Sequence, residues 1–203
     1  STAKYNPWQE LQLLNNLCDL IDQGFSFQIG LSNIGPKRLK KIIQFLSTRD
    51  KKVKSVQIQF SLISPDFSKQ TNVKRICENN NIDFLAYSPL SFGILCIDPE
   101  KDEDKQNSFL RSLIFKNYTK STTELRLCLK KIAISRSVSQ AQVAINWCCY
   151  QGAIPLVGMR KKSQVIDISN VFKWNLNKEE FAMLQQASKK CLKKMPRNPF
   201  SSL

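Results

Sequence analysis

The side chains in this chain that could do chemistry lie where four apolar runs stop. Ser32 and Asn33 close "QIGLSN", and Gln57 and Gln59 alternate with Val56, Ile58 and Phe60 in "SVQIQF". Tyr87 and Ser88 end the run that begins "DFLAYSPL", and "GMRKK" sets Arg160, Lys161 and Lys162 directly behind "AIPLV". Strands of a parallel sheet are covered on both faces and read as nearly unbroken apolar runs, so a polar carboxyl end marks a strand that carries a ligand site. Three adjacent cations behind a strand make a phosphate-sized cluster. The glutamines of the second run share one strand face with Ser55 and Ser61. Each buried glutamine needs hydrogen-bond partners or costs about 1 to 3 kcal/mol, so the face suits a polar ligand or a polar barrel layer that satisfies itself.

Composition removes other chemistries. The chain has no histidine, and its seven cysteines include no C-x-x-C pair, which argues against a zinc site or a disulfide framework. The thiols read as small apolar groups in a reducing compartment. The formal charge of +15 invites a nucleic-acid reading. A polynucleotide groove would also need exposed, interleaved aromatics, and lysine-rich helix faces are ordinarily solvated, so no nucleic-acid partner is expected. No apolar run is long enough for a membrane span, and "STAKYNPWQE" lacks a signal-peptide core, which together predict a cytoplasmic chain without a membrane partner.

Four strands must position these groups, over residues 28–32, 55–60, 83–87 and 153–157. The first three start close to one strand-helix-strand period of roughly 30 residues apart. Leu39, Ile42, Ile43 and Leu46 between them keep helical spacing, as do Val73, Ile76 and Cys77. Before the fourth strand come an acidic, loop-like insertion at 91–120 and two helices. Leu125, Cys128, Leu129, Ile132 and Ala133 line one helix; Ala141, Ala144, Ile145, Cys148 and Cys149 line the other, with a cap expected from Ser137 and Gln140. A helix bearing Trp8, Leu11, Leu14, Leu17 and Ile21 opens the chain, and one bearing Val165, Ile168, Val171 and Phe172 follows the last strand. A helix opened by Asn177 and Glu180 begins a C-terminal segment over 177–203. The whole, 1–203, is expected to be a single α/β domain, with either a doubly wound sheet or half of a (β/α)8 barrel.

Taken together, "IGLSNIGPKRL", "VQIQFSLI", "LAYSPLSFGIL", "SQAQVAINW" and "IPLVGMRKKSQ" closely resemble the aldo/keto reductases, in the same order, and "KKMPRNPFSSL" is similar to the tail of the bacterial and plastid branch. The resemblance implies a TIM barrel of which this chain holds only strands 5–8 and their helices, and it implies NADP(H) as cofactor. By likeness, Ser32, Asn33 and Gln57 hold the nicotinamide carboxamide, and Tyr87 stacks on the nicotinamide ring. Ser88 and Leu90 border the pyrophosphate, while Arg160 and Lys161 meet the adenosine 2′-phosphate. Gln164 stands where relatives often have Arg, Asp167 in the usual acidic place, and Ile168 where many have Asn, which weakens the adenine contacts. The expected activity is NADPH-dependent reduction of a small-molecule aldehyde or ketone.

The family's Asp, Tyr, Lys and His set belongs to the first four βα units, and no stretch here resembles it. No catalytic residue is therefore expected in this chain, which alone is predicted to be inactive. The alternative is a catalytically inactive NADP-binding or interaction module. Unpaired sheet edges would invite association, either with a missing N-terminal half or with a second copy of the chain.

Overall fold

The computed structural model describes residues 7–26, 28–64, 67–100, 118–191 and 194–195. Helices α1 (Pro7–Asp22), α2 (Pro36–Ser47) and α3 (Phe67–Asn79) alternate with strands β1 (Ile29–Ser32), β2 (Val53–Gln59) and β3 (Asp83–Tyr87). A 3-10 turn (Ser91–Cys96), helices α4 (Thr123–Arg136) and α5 (Gln140–Tyr150), strand β4 (Ile154–Leu156), and helices α6 (Lys162–Ser169) and α7 (Lys178–Lys190) follow. The strands form a parallel sheet in the order β1-β2-β3-β4, as repeated strand-helix units require. The expected insertion at 91–120 lies largely outside the described residues, as does most of the expected tail.

The chain divides into two compact units, and β3 contributes to both. In the first unit, Val53, Val56 and Ile58 of β2 are buried, as are Leu39, Ile42 and Leu46 of α2 and Val73 and Cys77 of α3. Fully burying such a side chain contributes about 1.5 to 3 kcal/mol. Acidic side chains of α1 meet the cations around α2: Glu10 pairs with Arg38 at 2.5 Å, Asp19 with Arg49 at 2.8 Å, and Asp22 with Lys51. Much of the positive stretch 37–54 is thus neutralised within its own unit.

The second unit is built on aromatic stacking. The Trp147 ring, fully buried, lies 5.3 Å from Phe60 and 6.5 Å from Phe181, and Phe181 lies 4.3 Å from Tyr150. Helix α7 opens with the expected box: Asn177 Oδ1 accepts the Glu180 N–H at 2.8 Å, and Glu180 Oε2 accepts the Asn177 N–H at 2.9 Å.

Three expectations need correcting. Ser137 does not cap α5; it ends α4 in the left-handed region, φ 53°, and Ser139 takes the cap by accepting the Gln142 N–H at 3.1 Å. The run at 153–157 is not a covered strand, for no residue of β4 is buried and Ile154 is 48% exposed. Nor do Val165, Ile168, Val171 and Phe172 line one helix: α6 ends at Ser169, Val171 and Phe172 lie in a 3-10 turn beyond it, and Val171 is buried while Val165 and Phe172 are 49% and 77% exposed.

Candidate functional site

In the first unit, the register of β1 and β2 sets Ser32 opposite Gln57. Asn33, the next residue, donates its N–H to the Gln57 carbonyl at 2.9 Å and its Nδ2–H to Ser32 Oγ at 3.2 Å. The fold therefore brings these three predicted residues together at the carboxyl ends of their strands. Asn33 turns the chain out of β1 with φ 54°, a left-handed conformation that asparagine adopts more readily than most residues. A Cβ at Gly30 of β1 would stand 3.0 Å from Ser55 Oγ, so that serine side chain would have to give way by a few tenths of an ångström.

In the second unit, Tyr87 ends β3, and Ser88 and Leu90 lie in the tight stretch that follows it. The Tyr87 carbonyl accepts the Phe60 N–H at 3.2 Å, and the Ser88 carbonyl accepts the Ser91 N–H at 2.9 Å. Ser88, Ser91 and Phe92 are left-handed, with φ 54°, 50° and 58°, and Gly93 extends the run at φ 95°. Such conformations cost on the order of 1 to 3 kcal/mol each and persist where the surroundings over-determine them. Part of that constraint is visible: Ser91 is fully buried and its Oγ stands 2.8 Å from Ser61 Oγ.

The cation loop is braced from within. Gln164 turns its side chain back, and Oε1 accepts the N–H groups of both Arg160, at 2.8 Å, and Lys161, at 3.0 Å. Arg160, Lys161 and Lys162 are exposed, and no carboxylate among the described residues pairs with them. Asp167, a turn further along α6, faces α5. Its Oδ2 accepts the Ser139 hydroxyl and its Oδ1 the Gln142 Nε2–H, both at 2.6 Å, while Gln142 Oε1 accepts the Trp174 Nε1–H at 3.1 Å. Burial pushes the Cys96 thiol up to about 12, and the Asp167 carboxylate pushes the same way.

Sequence reasoning assigned no role to Ser139, Gln142 or Trp174. One signal was present: Gln142 and Asn146 stand among the apolar residues of α5, both are buried, and polar groups so placed must have partners. Asn146 donates to the carbonyls of Val171 and Trp174, at 3.1 and 2.8 Å, and accepts the Leu176 N–H at 3.0 Å.

The family model for the aldo/keto reductase family matches residues 5–189. The chain is 36% identical over its whole length to pyridoxal reductase, chloroplastic, of Arabidopsis thaliana, covering 54% of that protein. It is 26% identical, over 85% of its length, to the NADPH-dependent alpha-keto amide reductase of Saccharomyces cerevisiae, covering 46% of it. The chain thus spans about half the length of the curated relatives it matches. Among solved structures, a glycerol dehydrogenase from Gluconobacter oxydans superposes with a TM-score of 0.73 at 22% identity, over 94% of this chain and 57% of that one. Among the described residues no helix is long and apolar enough to cross a membrane, and no cluster of histidine, cysteine or carboxylate side chains could hold a metal ion. Because the family match runs through every strand end described above and nearly the full chain, the protein belongs to the aldo/keto reductase family.

Proposed function

We propose that this chain supplies the cofactor-binding half, strands 5–8, of a (β/α)8-barrel oxidoreductase that reduces an aldehyde or ketone with NADPH. The observation that carries the reading is the trio Arg160, Lys161 and Lys162: exposed, without a carboxylate partner among the described residues, and on a loop whose amides Gln164 already occupies. With those amides taken, the cationic side chains are what remains to receive an anion, and they suit the phosphate ester that distinguishes NADP from NAD. Seven free cysteines, four of them buried, suit a reducing compartment such as the cytoplasm.

The fit extends to the other residues. The Ser32 hydroxyl and the Asn33 and Gln57 amides offer the donors and acceptors that a carboxamide needs, and the Tyr87 ring offers a face to a flat heterocycle. Ser88 and Leu90 border the pyrophosphate, and Gln164 braces the cation loop from within. Bound NADPH supplies the hydride that the carbonyl carbon receives. The proton comes from outside this chain, on an upstream segment or a partner carrying strands 1–4, because the sequence holds no histidine and no counterpart of the family's catalytic set. The names of the relatives, a pyridoxal reductase and an alpha-keto amide reductase, support a carbonyl substrate.

Fluorescence titration of the chain with NADPH and NADH tests this. NADPH is expected to bind more tightly, and Arg160→Ala with Lys161→Ala to reduce that preference about tenfold, as loss of charge-assisted hydrogen bonds implies. NADPH consumption with a generic aldehyde is expected only when the complementary half is added. A chain that binds neither nucleotide would overturn the assignment.

A further inference from the structure

Helix α6 is short and poorly packed. It has eight residues, none of them buried, and Val165 and Ile166 are 49% and 58% exposed. Helices well under about 12 residues are marginal without tertiary support, and here apolar burial does not supply it. What does hold α6 is a polar chain at one residue: Asp167 takes two hydrogen bonds from α5, one from the Ser139 hydroxyl that caps that helix and one from the buried Gln142. Gln142 in turn holds Trp174, beyond the far end of α6. One turn back towards the strand, Gln164 holds the amides of Arg160 and Lys161.

We propose that Asp167 is a positioning residue: engaged by Ser139 and Gln142, it latches α6 to α5 and thereby fixes the cations at 160–162 for a nucleotide's phosphate ester. The inference rests on the NADP reading for its ligand, not for the latch itself. The latch does a second job. A carboxylate on the same short helix as a cation cluster would compete with phosphate for it, and the two bonds from α5 keep the Asp167 charge directed elsewhere. Because hydrogen bonds to a charged acceptor are about twice as strong as neutral ones, two of them can anchor a helix that buries no side chain.

The test compares the wild-type chain, Asp167→Ala, and the exchange variant Asp167→Asn with Gln142→Glu. The exchange variant moves the charge one partner along and leaves every hydrogen bond in the chain from Ser139 to Trp174 available. Amide hydrogen exchange reads the latch without any ligand. In Asp167→Ala the amides of α6 are expected to exchange about tenfold faster or more while those of α5 stay protected, and in the exchange variant protection of α6 is expected to return. Binding of adenosine 2′,5′-bisphosphate is expected to weaken about tenfold in Asp167→Ala, binding of adenosine 5′-monophosphate to be unchanged, and the exchange variant to recover the difference; a merely structural lesion would move both ligands alike. Unchanged exchange in α6, or an exchange variant with intact α5 that fails to restore α6, would overturn the latch. Should Asp167→Ala also unprotect α5, Asp167→Asn alone decides: it keeps the Ser139 bond, so α6 protection intermediate between the others supports the latch and wild-type protection overturns it. A wild-type chain that binds neither nucleotide but loses α6 protection on Asp167→Ala sinks the NADP reading and leaves the latch standing.

Discussion

Helix α2 of the first unit buries Leu39, Ile42 and Leu46, whereas α6 of the second buries nothing, although each follows a strand of the same parallel sheet. Both carry apolar residues at helical spacing, so the pattern alone makes them equals. Their supports differ: side-chain packing for α2, hydrogen bonds at Asp167 and Gln164 for α6. The difference teaches where a substitution should register. In α2 a lost contact lowers the stability of the fold, while in α6 it loosens a ligand-facing loop before global stability responds.

The sharpest way to break the contrast is Leu39→Ala. Leu39 is fully buried, so the loss is expected at about 2 to 5 kcal/mol, read from the shift in urea midpoint at unchanged slope. A loss below about 1 kcal/mol would place α2 in the same class as α6. An alkaline ramp gives a more graded loss that involves both units. Burial holds the Cys77 thiol of α3 and the Cys96 thiol of the second unit at about 12, against an ordinary value of 9.0. Between those values the folded chain keeps protons that the unfolded chain releases, so the contribution of these thiols to stability is constant well below pH 9 and is lost from there towards pH 12. Cys77→Ala and Cys96→Ala would each flatten that slope. The smallest effect belongs to the exposed apolar residues: Val165→Ala and Phe172→Ala are expected to change stability by no more than about 0.5 kcal/mol, by thermal or urea unfolding of the same preparations.

The parts of this architecture that local sequence separations decide were legible in advance. Asn177 and Glu180 signal a helix start from three residues apart, and "SVQIQF" declares a two-sided strand by simple alternation. The family blocks added the grouping of Ser32, Asn33 and Gln57. Ser137 misled because a serine two residues from the true cap satisfies the same motif, and only the left-handed turn at the end of α4 decides between them. The partners of Asp167 lie 28 and 25 residues away, on another helix, where no short-range rule reaches. Likewise the helical spacing of Val165 and Phe172 does not record that α6 ends between them, at Ser169.

Asn33 and Ser88 share a backbone angle, φ 54°, immediately after β1 and β3. Glycine would relieve both, since a side chain in that region costs roughly 1 to 2 kcal/mol. A redesign guided by thermal robustness alone would therefore choose these two positions early, and would erase an amide and a hydroxyl from the carboxyl ends of the strands. Here the least comfortable residues of the scaffold are the ones an engineer should leave alone, because ruggedness and ligand recognition pull on them in opposite directions.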